Sequence, residues 1–367
     1  VSNPLRKSQP EPASPRPFRY LCKTCSTKRT CITPSRSRAF PMTTSISTTA
    51  LLKRHTATFL FAVLATLLFT VFQTSARAAA TEIRIGWQKG SDLAVIKAKG
   101  TFENTLKQQG VSVQWIEFPA GPQMLEGLNV GAIDLGAVGE TPPVFAQVAN
   151  ANLLYAGVQP PAPAAEALLV PKSSPIKTLA DLKGKRVVLN RGSNVHYLLV
   201  QLLAQAHLSY DDINVSYLKP SDAYAAFQNG SVDAWVIWDP YATAAVAQLD
   251  ARVLADARGV ANNHQFYIAS RSFAQAHPDT LKFVLAQANN ESLWIGRHEK
   301  EAAQIFSSQT GLPVEVAERS LSHSTYGVKL LDADVVSSQQ RIADTFFRLK
   351  LIPKQIDVAS AVWHPAP

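Results

Sequence analysis

The sequence predicts an α/β protein of two lobes, each a β-sheet layered with helices. Two repeated features carry this reading. A short apolar run ending in a basic residue, Gly, Ser and an Asx residue occurs twice: Ile83–Gln88 leads into Lys89-Gly90-Ser91-Asp92, and Arg186–Asn190 into Arg191-Gly192-Ser193-Asn194. About forty residues after each, a Gly-x-x-Asp step (Gly131 to Asp134, Gly230 to Asp233) enters another apolar run, which reaches an acid beside a proline at Glu140-Thr141-Pro142 and Asp239-Pro240. One strand–loop–helix plan is thus present in two copies about a hundred residues apart.

In chain order, Ile83–Trp87 reads as a strand and Asp92–Gln109 as a helix by the spacing of its apolar residues. Val111–Phe118 follows as a strand, Pro122–Asn129 as a helix closed by Gly131, Ile133–Val138 as a strand, Pro142–Ala149 as a helix and Leu153–Val158 as a strand. Gln159-Pro160-Pro161-Ala162-Pro163 lacks the amide donors of a central strand. Ala167–Pro171 is expected as a strand leaving the first lobe, and Thr178-Leu179-Ala180-Asp181 as a capping box. The second copy then runs Arg186–Asn190 (strand), Tyr197–Ala206 (helix), Asn214–Leu218 (strand), Ala223–Gln228 (helix) and Ala234–Trp238 (strand). Phe266–Ala269 is expected as a return strand, followed by mostly helical chain from Ser272 to Leu351 that packs back on the first lobe.

This alternation predicts parallel sheets, with residues 79–168 and 265–367 forming one lobe and residues 169–264 the other. Two crossings, near Ala165–Pro171 and Asn263–Ala269, would form a hinge. Duplicated lobes with helix starts aimed at a shared cleft fit a protein that closes on a small anion.

Charge is unevenly distributed. Twelve of the 36 basic residues and one of the 27 acidic ones precede Ala79, so that leader carries +11 and the remainder −2. The basic balance therefore belongs to the leader, and no nucleic-acid partner is expected for the folded part. Met42 begins the pattern of a secretory signal over residues 42–78: a charged start at Lys53-Arg54-His55, an apolar stretch Ala57–Phe72 and Ala76-Arg77-Ala78 as cleavage site. Cleavage is expected after Ala78, with Ala79 or Ala80 as alternatives, and an uncleaved anchor as the competing reading. Residues 1–41 read as a non-native upstream extension. All three cysteines, Cys22, Cys25 and Cys31, lie there, so the mature chain has no disulfide, thiolate nucleophile or Cys-ligated metal.

The candidate chemistry lies in the repeated loops. Helix N-termini carry unpaired N–H groups and partial positive charge, so they hold anions without a metal. Gly90 and Gly192 allow close backbone approach, Ser91, Ser193 and Asn194 add short polar groups, and Lys89 and Arg191 add full charges if they point inward. Thr141-Pro142 and Asp239-Pro240 read as an N-cap followed by Pro at the first helical position. Glu140 and Asp239 are expected to cap or to pair with Lys89 or Arg191, with Glu140 alternatively receiving an ammonium on the ligand. Trp238, more than Trp87, is the candidate apolar wall. No catalytic site, metal site or cofactor is expected: His298-Glu299 lacks the second zincin histidine, and Gly192-Ser193-Asn194 is not a nucleophile elbow.

Three segments carry a family resemblance: Phe118-Pro119-Ala120-Gly121-Pro122-Gln123-Met124-Leu125-Glu126, Asn129-Val130-Gly131-x-Ile133-Asp134-Leu135-Gly136 and Val232-Asp233-Ala234-Trp235-x-Ile237-Trp238-Asp239-Pro240-Tyr241. With Gln88-Lys89-Gly90-Ser91 and Ser174-Pro175-Ile176-Lys177-Thr178, they resemble the aliphatic sulfonate-binding proteins of bacterial ABC transporters, from about Ile83 to Trp363. The resemblance implies a two-lobed type II periplasmic binding fold. It also implies a monomer that delivers alkanesulfonates to an inner-membrane ABC permease for sulfur acquisition. The pocket it implies comprises Gln88, Gly139, Glu140, Thr141, Gly192, Ser193, Asn194, His196 and Trp238, with Lys89, Arg191 and Asp239 as charge support. A taurine, nitrate or sulfate binder, or an enzyme on this scaffold, are the alternatives.

Overall fold

The computed structural model describes residues 81–365, so the expected extension, signal, cleavage site and cysteines lie outside the described residues. Two five-stranded sheets organise the chain. The first half contributes β1 (Thr81–Trp87), α1 (Asp92–Lys99), α2 (Thr101–Gln108), β2 (Val111–Glu117), α3 (Gly121–Asn129), β3 (Leu135–Gly139), α4 (Thr141–Val148) and β4 (Leu153–Val158). The single helix expected over Asp92–Gln109 is two, because Gly100 adopts a left-handed φ of 74° between them.

The chain then crosses to the second sheet and adds β5 (Glu166–Val170), β6 (Arg186–Leu189), α5 (Asn194–Gln205), β7 (Asn214–Tyr217), α6 (Pro220–Gln228), β8 (Ala234–Trp238), α7 (Tyr241–Gln248) and β9 (Arg252–Asp256). It returns through β10 (Gln265–Ser270) and ends in helices α8 (Arg271–Ala276), α9 (Pro278–Arg297), α10 (Glu299–Thr310), α11 (Val314–Ser322) and α12 (Ala333–Arg348). Helix α7 was expected only by its start at Asp239-Pro240, because its Ala-rich run has little apolar periodicity, and strand β9, a partly exposed edge strand without clean alternation, was not expected.

Sheet order exposes the duplication. The first sheet runs β2-β1-β3-β10-β4 and the second β7-β6-β8-β5-β9. In each, the fourth strand has just crossed from the other sheet and runs antiparallel to both neighbours. The sheets are therefore mixed rather than parallel as expected. Strand β5 pairs from Glu166 onward in the second sheet. The crossings thus occupy residues 159–165 and 257–264, a few residues before the expected positions. The Pro-rich 159–163 stretch, unsuited to a strand, is the first of them.

Each sheet is packed on both faces. One face of the first sheet meets α1, α2 and α8 to α11 through Ile83, Ile85, Leu93, Phe102 and Phe306. The other meets α3, α4 and α12 through Met124, Tyr155, Phe266 and Phe346. Helix α5 covers one face of the second sheet and α6 with α7 the other, around Leu198 and Trp235. The C-terminal helices thus pack on the first sheet.

Both Gly-x-x-Asp steps acquire a structural reason. Asp134 takes the guanidinium of Arg84 at 2.7 and 2.9 Å and the Arg84 N–H at 2.9 Å. Asp233 does the same for Arg186 at 2.7, 3.1 and 2.8 Å. In each copy the arginine also donates to the carbonyl of the step's glycine, which sits at φ 74° or 73°. The aspartate thus locks the entry of β3 or β8 beside the start of β1 or β6.

Candidate functional site

A cavity of about 80 Å³ lies between the two sheets. That is room for roughly five to eight waters. The first turns of α1, α3, α4 and α5 reach it through Ser91 and Asp92, Gly121, Pro142, and Ser193 and Asn194. None of these four helices carries a side-chain cap at its start. Their N-terminal amide dipoles therefore add positive potential at one place.

The repeated serines leave the helix starts uncapped for a local reason. Ser91 Oγ donates to the carbonyl of Gln88 at 3.0 Å, and Ser193 Oγ to that of Asn190 at 2.7 Å. Each hydroxyl is turned back to its strand end and away from the helix amides. The nearby helix α7 differs. Asp239 Oδ1 accepts from the N–H and hydroxyl of Thr243 at 2.9 and 2.6 Å, so a carboxylate already occupies that helix start. Pro240 precedes α7, and Thr141 rather than Pro142 is the first residue of α4, with Glu140 at its N-cap. Both acid–proline steps are thus shifted by one residue from the expected capping register.

Of the residues expected in the pocket, Gln88, Gly139, Ser193, Asn194, Trp238 and Asp239 line the cavity. Gly139 matters for its missing side chain: a Cβ there would lie 2.8 Å from the Asn194 side chain across the cleft. Asn194 Nδ2 donates to Glu166 Oε2 at 2.6 Å and to Asn263 Oδ1 at 2.8 Å, tying α5 to β5 and to the second crossing.

Glu140, Thr141, Gly192, His196, Lys89 and Arg191 do not line it. Glu140 is 1 % exposed, and its Oε2 accepts from the His264 N–H at 3.0 Å. It faces a separate crevice shared with Tyr197, Asn262 and Arg341, not Lys89 or Arg191. Burial pushes its carboxyl up to about 7, against the pull of the His264 and Asn263 amides. Thr141 is fully buried in the first turn of α4.

Gly192 sits at φ 73° and donates its N–H to His196 Nδ1 at 3.2 Å, so its glycine serves a left-handed turn. The accepted bond places the imidazole proton on Nε2. His196 packs among Phe145, Tyr210, Tyr217 and Phe346, joining α5 to α4 and α12. Burial, with the charge of Arg191, lowers its pKa to about 3, so it stays neutral. Lys89 is exposed with its Nζ 4.0 Å from Glu117, and Arg191 lies over the Tyr217 ring. Both full charges face away from the cleft.

The remaining lining comes from places that the repeated motifs do not mark. Gln159, Pro160 and Asn263 belong to the crossings, and Gln265 opens β10. Phe306, Leu321, Thr325 and Tyr326 come from the C-terminal region. Only the docking of α10 and α11 on the first sheet brings them to the cleft; no local signal announces it. No Lys or Arg lines the cavity, and its two acids are Asp92 and Asp239. Asp239 is compensated, because His323 Nδ1 lies 2.7 Å from its Oδ2.

Comparisons with known proteins identify the family. The profile of the family described as "Substrate binding domain of ABC-type glycine betaine transport system" matches residues 81–318. The putative aliphatic sulfonates-binding protein of Escherichia coli (strain K12) is 42 % identical over 298 residues, 81 % of this chain and 93 % of that one. The putative aliphatic sulfonates-binding protein of Bacillus subtilis (strain 168) is 33 % identical, over 77 % of this chain and 85 % of its own. Among solved structures, the alkanesulfonate-binding protein of Xanthomonas axonopodis pv. citri, bound to MOPS, superposes with a TM-score of 0.75 at 42 % identity. The match covers 78 % of this chain and 99 % of that one. The chain belongs to the substrate-binding-domain family of ABC-type transport systems and, within it, groups with the aliphatic sulfonates-binding proteins.

Proposed function

We propose that this protein is the periplasmic binding component of an ABC importer, which captures alkanesulfonates in the cleft between its sheets and hands them to an inner-membrane permease. The observation that supports it is the convergence of four uncapped helix starts on a cavity without a lysine or arginine. A sulfonate is a monoanion with three acceptor oxygens and no proton to donate. Amide dipoles and neutral donors satisfy it without a fixed countercharge. Micromolar affinity corresponds to about −8 kcal/mol. A few charge-assisted hydrogen bonds and a tail packed on Trp238 are of that order.

In this reading Gln88, Gly139, Ser193, Asn194 and Trp238 form the ligand wall, Asn194 and Asn263 knit the hinge, and Phe306 with Leu321 receives the tail. The two lobes are residues 79–168 with 265–367 and residues 169–264, closing about the crossings, and the closed pair of lobes is the surface offered to the permease. The protein acts as a monomer after removal of its signal near Ala78 and performs no catalysis. No helix among the described residues is long and apolar enough to cross a membrane.

Isothermal titration of ligand-stripped protein against pentanesulfonate, sulfate and nitrate tests this. Tight binding of pentanesulfonate with weak or absent binding of the inorganic anions is expected. Silence towards pentanesulfonate sinks the sulfonate reading, and turnover of a sulfonate seen by mass spectrometry overturns the non-catalytic one.

A further inference from the structure

His196 is a histidine where packing alone would favour a hydrocarbon ring. It is 1 % exposed, and its ring lies among Phe145, Tyr210, Tyr217 and Phe346 with centroids 5.1 to 5.9 Å away. Its Nε2 is buried and has no hydrogen-bond partner. An unpaired buried N–H is costly, and phenylalanine would fill the same space without it. What the imidazole adds is one acceptor: Nδ1 takes the N–H of Gly192 at 3.2 Å.

Gly192 is itself buried, at φ 73°, in the turn between β6 and α5. Ser193 and Asn194, the next two residues, line the cavity, and α5 starts there without a side-chain cap. The turn also lies against the first lobe, since a Cβ on Gly192 would stand 3.4 Å from the Phe145 ring. The first copy of the plan differs on both counts. Ala94 there holds the place of His196, and Gly90, the counterpart of Gly192, lies outside the left-handed region. Imidazole and left-handed turn occur together in one copy and are both absent from the other.

We propose that His196 is a positioning residue of the cleft: it touches no ligand, but by accepting the Gly192 N–H it holds the turn that aims Ser193, Asn194 and the first amides of α5 at the sulfonate. The proposal rests on the sulfonate reading above and deepens it. Without the acceptor, the Gly192 peptide has no reason to keep its plane, and a rotation there carries Ser193 and the start of α5 with it. Amide dipoles stabilise a bound anion only while they point at it. Burial, with the Arg191 charge, keeps the imidazole neutral near neutral pH, so Nδ1 stays an acceptor.

Isothermal titration of wild type, His196→Phe and His196→Asn with pentanesulfonate, beside thermal melting of each, tests this. Phenylalanine keeps the ring packing and removes the acceptor. Asparagine does the reverse, because its side-chain oxygen stands where Nδ1 stood and most of the ring is gone. His196→Phe is expected to melt close to wild type and to bind about tenfold more weakly or worse. His196→Asn is expected to melt lower and yet to bind within about threefold of wild type. A role in packing alone predicts the opposite order of affinities. Wild-type affinity in His196→Phe, or a folded His196→Asn that binds as weakly as His196→Phe, overturns the positioning role and leaves the sulfonate reading standing. If His196→Asn does not fold, the affinity of His196→Phe decides alone. Failure of wild type to bind pentanesulfonate overturns both.

Discussion

His323 Nδ1 lies 2.7 Å from Asp239 Oδ2, which joins the end of α11 on the first lobe to the end of β8 in the second. Asp239 is nearly buried and His323 about a quarter exposed, so the bond is sheltered at one end only. His323→Ala should weaken ligand binding by about fivefold, the effect of roughly 1 kcal/mol for one partly exposed polar bond across a closing cleft. Titration against pentanesulfonate measures it. Unchanged affinity would mean that the bond plays no part in closure.

Gly90 sits against the backbone of Asp239. A Cβ at this position would lie 2.6 Å from the carbonyl oxygen of Asp239, a backbone atom that cannot swing aside. Gly90→Ala is therefore expected to hold the cleft ajar, with at least tenfold weaker binding and a melting temperature close to wild type without ligand. Small-angle scattering of the liganded variant should show the more open form; wild-type compaction would count against this.

Glu140 should make stability depend on pH. Its folded pKa of about 7 lies above the ordinary value of 4.5, so the folded protein holds the proton more tightly than the unfolded chain. The folded state is then least penalised below about 4.5 and loses stability as pH rises towards 7. Glu166, raised by burial and then by the Glu140 charge, adds in the same direction. Glu140→Gln should thus be more stable than wild type at pH 8, by about 1–3 kcal/mol, with the gain vanishing near pH 4.5. Melting curves at the two pH values decide, and an equal shift at both would remove Glu140 as the source. Sulfonate affinity should stay within about twofold, since Glu140 lies off the cavity.

The two Arg–Asp locks should differ in strength. Side-chain exposure is 35 % and 11 % for Arg84 and Asp134, against 50 % and 31 % for Arg186 and Asp233. Water screens the second pair more. Arg84→Met is expected to cost about 1–2 kcal/mol and Arg186→Met measurably less. Denaturant unfolding ranks them, and a reversed order would show that exposure does not govern these pairs.

The duplicated plan was legible because it is local. Apolar runs, a Gly at each loop and a Gly-x-x-Asp step recur in order, and strand and helix periods follow from side-chain geometry over a few residues. So β1, β3, β6, β8 and the helix starts at Ser91 and Ser193 could be read from sequence alone, as could the Pro-rich break at 159–163. Tertiary structure decided what sequence separation hides. The antiparallel places of β5 and β10 come from crossings that join segments about a hundred residues apart, and spacing carries no direction for such pairings. It decided too that His196 fills an aromatic cluster, that Lys89 and Arg191 point away from the cleft, and that Glu140 is buried off it. It brought Phe306, Leu321 and Tyr326 to the cavity wall. Orientation and burial depend on which distant faces pack together, and no run of neighbouring residues encodes that by itself.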